Sequence, residues 1–400
     1  MLLGLAVCLS LFGDLSLYAV LVTQLDVVGL SLGAVGVMLG VNRLIRIPSN
    51  PLAGVLLDHW GRRRLFILGM LLGVVSTASY GLVRGFWPFL AGRLTWGIAW
   101  TLINVGGMAI VLDVSTRANR GRLSGLYNTW VQIGLAVGPL VGGLLVSSMG
   151  FRPAMLVCAG LTAAGFAIVL VALPETAQLS GREIRLEAGS ALSLPRQLTR
   201  AWQSSGALLA ADRGLMTAAW LLLITQFASI GIVLSTVSLL LQQRFGESLD
   251  LGSLALGVGS ASGILLGLRS ALASVTGPLA GRLSDRHSGR RPVIAGALAL
   301  GILGFGTLFV ARSLEVIVLG VALGALSDGA ALAALTAYMG DLTPPGRQGI
   351  AMGAFATAGD IGTTAGPFLA FALASTVDLR WIYLLCTLAF LVGLWLIWRV

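Results

Sequence analysis

Seven formal charges stand inside the long apolar runs of this chain: Asp14, Arg43, Arg46, Arg93, Arg269, Asp328 and Asp360. Each costs about 2.5–3.5 kcal/mol on insertion scales if it faces lipid. Such charges must pair with one another or line a wet cavity, so they are the first candidates for function. The chemistry open to a carboxylate beside a guanidinium is reversible protonation. Burial favours the neutral acid, and a neighbouring cation favours the ion. Other chemistries lack their residues. The sequence holds no metal-ligand spacing, nucleophile–base pair or phosphate-binding loop, so no metal or other cofactor is expected. His59 and His287 stand apart from any cysteine or acidic cluster.

The elements carrying these charges belong in a membrane. Apolar residues make up 56% of the chain and charged residues 10%, against roughly 25% charged in a soluble domain. That excludes a soluble enzyme. The 54 glycines suit helices that approach closely in lipid. Cys8, Cys158 and Cys386 all lie in apolar runs, which argues against a disulfide framework.

A membrane helix needs about 20 apolar residues. Twelve runs qualify: 1–24, 31–57, 65–84, 88–113, 122–148, 151–173, 214–243, 251–280, 292–310, 314–340, 348–374 and 379–398. The first has no basic segment before it and does not read as a signal peptide. Arginine supplies all 26 cations. With a cytoplasmic N-terminus, 17 of them fall on the inner connections and the C-terminus, and five (Arg84, Arg152, Arg244, Arg312, Arg380) on the outer ones. The positive-inside rule therefore predicts both termini in the cytoplasm. The same bias explains the net charge of +10 without any nucleic-acid partner.

The chain repeats itself at half length. Gly54-Val-Leu-Leu-Asp58-His-Trp-Gly61-Arg62-Arg63 is echoed by Gly281-Arg-Leu-Ser-Asp285-Arg286-His-Ser-Gly289-Arg290-Arg291, about 227 residues later. At an offset of 228, Asp113 matches Asp341, and Gly134, Gly138 and Pro139 match Gly362, Gly366 and Pro367. Each half holds six spans, so the halves run parallel. The expected fold is an all-α membrane protein of twelve helices, in two six-helix halves around a central cavity. The halves are 1–173 and 214–400. Residues 174–213 form a cytoplasmic linker, either a flexible tether or a segment lying along the membrane surface.

These motifs resemble the major facilitator superfamily, and the resemblance covers nearly the whole chain. The Gly-x-Leu-x-Asp-x-x-Gly-Arg-Arg string between spans two and three is similar to that family's most specific mark, although His59 stands where arginine is usual. The copy holding Gly281, Asp285, Arg286, Gly289 and Arg290 carries one extra residue before its second glycine. The resemblance implies a cytoplasmic latch. Asp58 would face the N-terminus of span eleven, and Arg62 or Arg63 would bridge to Asp113. Asp285, Arg290 and Asp341 would do the same in the second half. The alternative is that these arginines only set topology. Gly134-Leu-Ala-Val-Gly138-Pro139-Leu-Val-Gly142-Gly143 in span five resembles the motif of the antiporter branches. Read physically, it is a smooth helix face with a proline bend.

Depth pairs the buried charges. Asp14 lies about 20 Å from the start of span one, and Arg93 about 7 Å below the outer start of span four, at similar heights. The family resemblance puts spans one and four on one cavity wall, and implies that Arg93 tunes proton transfer at Asp14. The alternative is a static ion pair. Asp360, in span eleven, is expected to bridge to Arg43 in span two or to pair with Arg269 in its own half. Asp328 stands where the first half has Trp100. It can touch substrate or face inner water. Arg46 can attract an anion or pair. Trp96, Trp100, Trp130 and Gln132 can contribute an apolar cavity wall with polar anchors, or ordinary core.

The leading expectation is a monomeric secondary transporter of the cell membrane that exports small organic molecules against protons. An uptake symporter or facilitator of the same fold is the runner-up. A non-transporting membrane receptor is the third reading, and the intramembrane charges argue against it.

Overall fold

A computed structural model of the chain describes residues 1–114, 120–174, 209–250, 255–284, 290–343, 348–374 and 376–399. Within them α1 (Leu2–Val20) runs through a 3-10 turn (Leu21–Gln24) into the single turn α2 (Leu25–Val28). Then come α3 (Leu32–Leu44), α4 (Arg46–Trp60), α5 (Arg62–Leu82), α6 (Phe86–Val114), α7 (Arg120–Met149) and α8 (Phe151–Ala172). Next, α9 (Arg213–Gln226) enters a π-helical turn (Phe227–Val233) and continues as α10 (Leu234–Phe245). A hairpin of β1 (Ser248–Asp250) and β2 (Ala255–Gly257) pairs Leu249 with Leu256. The chain ends in α11 (Val258–Leu283), α12 (Arg290–Val310), α13 (Leu314–Leu342), α14 (Gln348–Leu373) and α15 (Leu379–Arg399).

Local chemistry sets several boundaries. Ser31 accepts from Ala34 N at the start of α3, and Asp212 accepts from Leu215 N at the start of α9. Each satisfies one of the amide groups left open at a helix N-terminus. Gly61 (φ +88°) and Gly150 (φ +81°) turn the chain between consecutive helices in a conformation that side chains with a Cβ rarely adopt.

Ten stretches among the described residues are long and apolar enough to cross a membrane. The expected second and eleventh spans are not among them, for two different reasons. The second is divided at Ile45 into α3 and α4, of 13 and 15 residues. Pro48 sits in the first turn of α4, where its missing N–H is tolerated. The eleventh, α14, has 26 residues, but Asp360, Thr363, Thr364 and Pro367 dilute its apolar character. With these two included, the fold is an all-α membrane protein of twelve spans. Large apolar side chains are exposed along many helices, Val75, Val171, Leu303 and Leu391 among them, as a lipid-facing exterior requires.

The chain divides into two compact units. One comprises Met1–Leu194 with Leu241–Gly267, and the other Pro195–Leu240 with Leu268–Val400. In the first, α1 packs on α7 and α8, and α5 lies against α6 and α8. In the second, α9 and the π turn pack on α14, and α12 lies against α13 and α15. The second set repeats the first helix for helix. A core of Ala6, Val7, Phe66, Met70, Ile103 and Val169 holds the first unit together.

Candidate functional site

The first unit buries Asp14 of α1 against Arg93 of α6. Arg93 is wholly buried and Asp14 nearly so. Arg93 Nη1 donates to Asp14 Oδ1, closing an ion pair. Asn42 Nδ2 of α3 donates to the same oxygen at 3.3 Å. Arg93 Nε donates to the Met38 carbonyl at 2.6 Å, also on α3. Its guanidinium lies 5.9 Å from the centre of the Tyr80 ring. Ser76 Oγ fixes that ring by meeting Tyr80 Oη at 2.9 Å and the Gly92 carbonyl at 2.8 Å. Gly13 lets α1 approach α5 at this level, since a Cβ there would overlap Thr77.

The ion pair is not a two-pronged fork. Arg93 reaches a single carboxylate oxygen, and its Nη2 is buried with no hydrogen-bond partner among the described residues. A monodentate pair is the weaker arrangement of the two. Asn42, the Met38 carbonyl and Tyr80 were not among the sequence candidates. A buried neutral group costs less than a buried charge and stands out less in an apolar run, but the Asn42-Arg43 dipeptide inside span two is such a signal.

The remaining candidates fall in several places. Arg43 Nε donates to Tyr18 Oη at 3.3 Å, and its guanidinium stands 5.7 Å from that ring. Arg46 opens α4, and Asp360 lies in α14 of the second unit. Trp96 and Trp100 stack, with ring centres 6.4 Å apart. Trp96 is buried and Trp100 packs on the core of the first unit. Trp130 lies against Gly4, where a Cβ would overlap its indole. Gln132 is half-buried on α7. Arg269 does not turn to Asp360. Its Nη2 donates to Asp328 Oδ2 at 2.8 Å and to Ser229 Oγ at 2.6 Å, all within the second unit.

The repeated motifs meet their acidic partners in both units. Arg62 Nε lies 3.1 Å from Asp113 Oδ2, and Arg290 Nε lies 2.8 Å from Asp341 Oδ2. Of the two first-half arginines expected to make that bridge, Arg62 makes it. Arg63 donates to the carbonyls of Leu170 and Leu173. Asp285, Arg286 and Gly289 lie outside the described residues, as do the side-chain surroundings of Asp58 and the setting of Gly54. Gly281 lies in α11 with nothing within 4 Å of the position a Cβ would take.

The glycine strings are contact surfaces. On α7, a Cβ at Gly134 or Gly138 would press on Leu11 or Leu15 of α1, and one at Gly142 would overlap Ser16. Gly143 faces Gly259, and the Pro139 carbonyl faces Gly263. Ser260 Oγ seals this second face by donating to Ser147 Oγ at 2.7 Å. In the second unit Gly362 meets the backbone at Leu223 and Phe227, and Gly366, one residue before Pro367, meets Gly231 in the π turn.

The chain that carries this buried pair has relatives among known proteins. The chain is 27% identical over 372 residues to the class C tetracycline resistance protein of Escherichia coli, covering 90% of this chain and 87% of that protein. It is 24% identical over 373 residues to the multidrug resistance protein MdtG of Dickeya zeae (strain Ech586), covering 91% and 83%. Its fold matches a bacterial homologue of the human lysosomal transporter Spinster with a TM-score of 0.77, at 17% identity over 99% of this chain and 95% of that one. Residues 3–273 and 259–400 each match the family model of the Major Facilitator Superfamily, and the chain belongs to that superfamily of membrane transporters.

Proposed function

We propose that this transporter exports small organic molecules across the cell membrane in exchange for protons, with Asp14 as the proton-carrying group. The observation that carries the reading is the buried, monodentate Asp14–Arg93 pair on α1 and α6. Arg93 holds the carboxylate while it is ionised. The Met38 carbonyl keeps a grip on the guanidinium when the carboxyl takes a proton. Asn42 contributes a neutral donor to the same oxygen. A purely structural buried ion pair would be a poor way to stabilise this unit, because well-packed apolar residues do as well or better. Relatives named for tetracycline and multidrug resistance support export of organic compounds. The glycine–proline face of α7 supports the antiport direction, and the inner excess of arginine supports cytoplasmic termini.

The test is proton movement in proteoliposomes loaded with a pH dye, on addition of tetracycline, ethidium or an organic anion. The expected result is substrate-driven proton flux in wild type and none in Asp14→Asn. Substrate counterflow without proton flux in wild type would make the protein a facilitator. Coupled flux retained by Asp14→Asn would remove Asp14 from the mechanism.

A further inference from the structure

The second unit contains a charge cluster that the Asp14 mechanism does not use. Asp328 of α13 has a side chain more than nine-tenths buried. Arg269 of α11 meets one of its oxygens, Oδ2, at 2.8 Å. The other oxygen, Oδ1, is buried and has no hydrogen-bond partner among the described residues. The same Arg269 nitrogen also donates to Ser229 Oγ at 2.6 Å. Ser229 belongs to the π-helical turn Phe227–Val233, a widened turn of the kind that recurs at functional positions in helices.

This cluster shares three parts with the first. Each has a buried carboxylate, a guanidinium bonded to only one of its oxygens, and a neutral oxygen that holds the guanidinium as well. The neutral acceptor is the Met38 carbonyl in the first unit and Ser229 Oγ in the second. The helices correspond too. Arg269 stands 227 residues after Asn42 and Asp328 stands 228 after Trp100, so the second cluster occupies the repeat-related helices of the first. The residue types do not correspond: acid and base have moved to different helices. A pair rebuilt with other residues at an equivalent place points to a requirement for the pair itself. An ionised carboxylate with one oxygen buried and unsatisfied is an unfavourable resting arrangement, and intramembrane acids are functional-site candidates, with proton relays among their roles.

We propose that Asp328 is a second proton-binding carboxyl, taking a proton from water on Oδ1 and returning it to water in each cycle, with Arg269 and Ser229 as positioning residues. Proton uptake turns the carboxylate into the neutral acid. Arg269 then leans on Ser229, as Arg93 leans on the Met38 carbonyl. Among the described residues, Arg269 is the charged group within bonding distance of Asp328. The other charged groups on helices packed against α13 are Arg213, Arg282, Arg290 and Arg291, at or near helix ends, and Asp360 within α14. The inference deepens the proton-coupled reading of Asp14 and gives two protons to a cycle instead of one.

The test is infrared difference spectroscopy of the purified full chain in lipid discs, stepped from about pH 9 to about pH 5, a window wide enough for carboxyls whose surroundings displace them. The samples are wild type, Asp14→Asn/Arg93→Gln, Asp328→Asn/Arg269→Gln and Asp328→Glu. Neutral double variants avoid leaving a lone buried charge, and Asp328→Glu serves if the double variant fails to fold. Two carboxylic-acid bands are expected in wild type, with one lost in each double variant. Asp328→Glu should move the second band without removing it. A folded Asp328→Asn/Arg269→Gln with the wild-type spectrum, or an unmoved band in Asp328→Glu, overturns the proposal. A band lost with Asp328 but none lost with Asp14 supports it and removes Asp14 as the proton site, so the two readings fail separately.

Discussion

Arg62 and Asp113 meet at 3.1 Å with both side chains at least nine-tenths buried, whereas their repeat-related partners, Arg290 and Asp341, meet at 2.8 Å with Asp341 more than half exposed. The same two residue types, at the same separation in sequence, therefore sit in different dielectric surroundings. Removing one partner of a buried pair strands the other charge and costs about 3–5 kcal/mol. An exposed pair contributes only about 0–1 kcal/mol. Arg62→Ala should accordingly lower the melting temperature in detergent far more than Arg290→Ala does. Equal losses would mean that the two pairs share one environment in solution.

The glycine face of α7 makes a second comparison possible. A methyl group at Gly142 would overlap Ser16 of α1, while Gly296 of α12 has nothing within 4 Å of its would-be Cβ. Overpacking of this kind costs about 1–3 kcal/mol. Gly142→Ala should be destabilised by that order, and Gly296→Ala should stay within about 1 kcal/mol of wild type. Thermal unfolding of the two variants checks it, and a harmless Gly142→Ala would show that α1 and α7 are less tightly apposed than described.

The Arg62–Asp113 and Arg290–Asp341 pairs were legible because the string holding each arginine and the aspartate beyond it both repeat at half length, and because the string's resemblance to the superfamily's motif implies the bridge. Asp14 and Arg93 were legible because hydrocarbon leaves a charge few options, depth along a helix follows from residue counting, and the family resemblance implies that spans one and four are neighbours. Rotation about the helix axis is not legible in the same way. These helices are apolar on most faces, so hydropathy does not say which way Arg269 points, and its turn toward Asp328 in place of Asp360 was not foreseen. Ser229 was missed for a related reason. A π turn adds one residue to a helical turn and leaves no mark in composition. The break at Ile45 could have been suspected from Pro48 and Pro51 inside the expected second span.

The far end of the π-turn segment has its own anchor. Tyr383 of α15 is fully buried, and its hydroxyl meets Thr236 Oγ1 at 2.9 Å. Thr236 Oγ1 already donates to the Ile232 carbonyl at 2.8 Å, so the tyrosine is the donor between them. Tyr383→Phe removes that bond and nothing else of size, for a loss of about 1 kcal/mol. A much larger drop in thermal stability would mean that the contact fixes the helix register as well.

Stability and coupling should separate at the first cluster. Arg93→Gln alone leaves the Asp14 carboxylate buried with Asn42 as its remaining donor, and should cost about 3–5 kcal/mol. Adding Asp14→Asn removes the stranded charge, so the double variant should recover most of that loss. If the pair served only to hold α1 against α6, transport would recover along with stability. If Asp14 carries the proton, the double variant will be as stable as wild type within about 1–2 kcal/mol and still move no protons with substrate. Thermal unfolding and the proteoliposome assay, run on the same three preparations, decide between these outcomes. A double variant that regains coupled proton flux would reduce the Asp14–Arg93 pair to a structural contact.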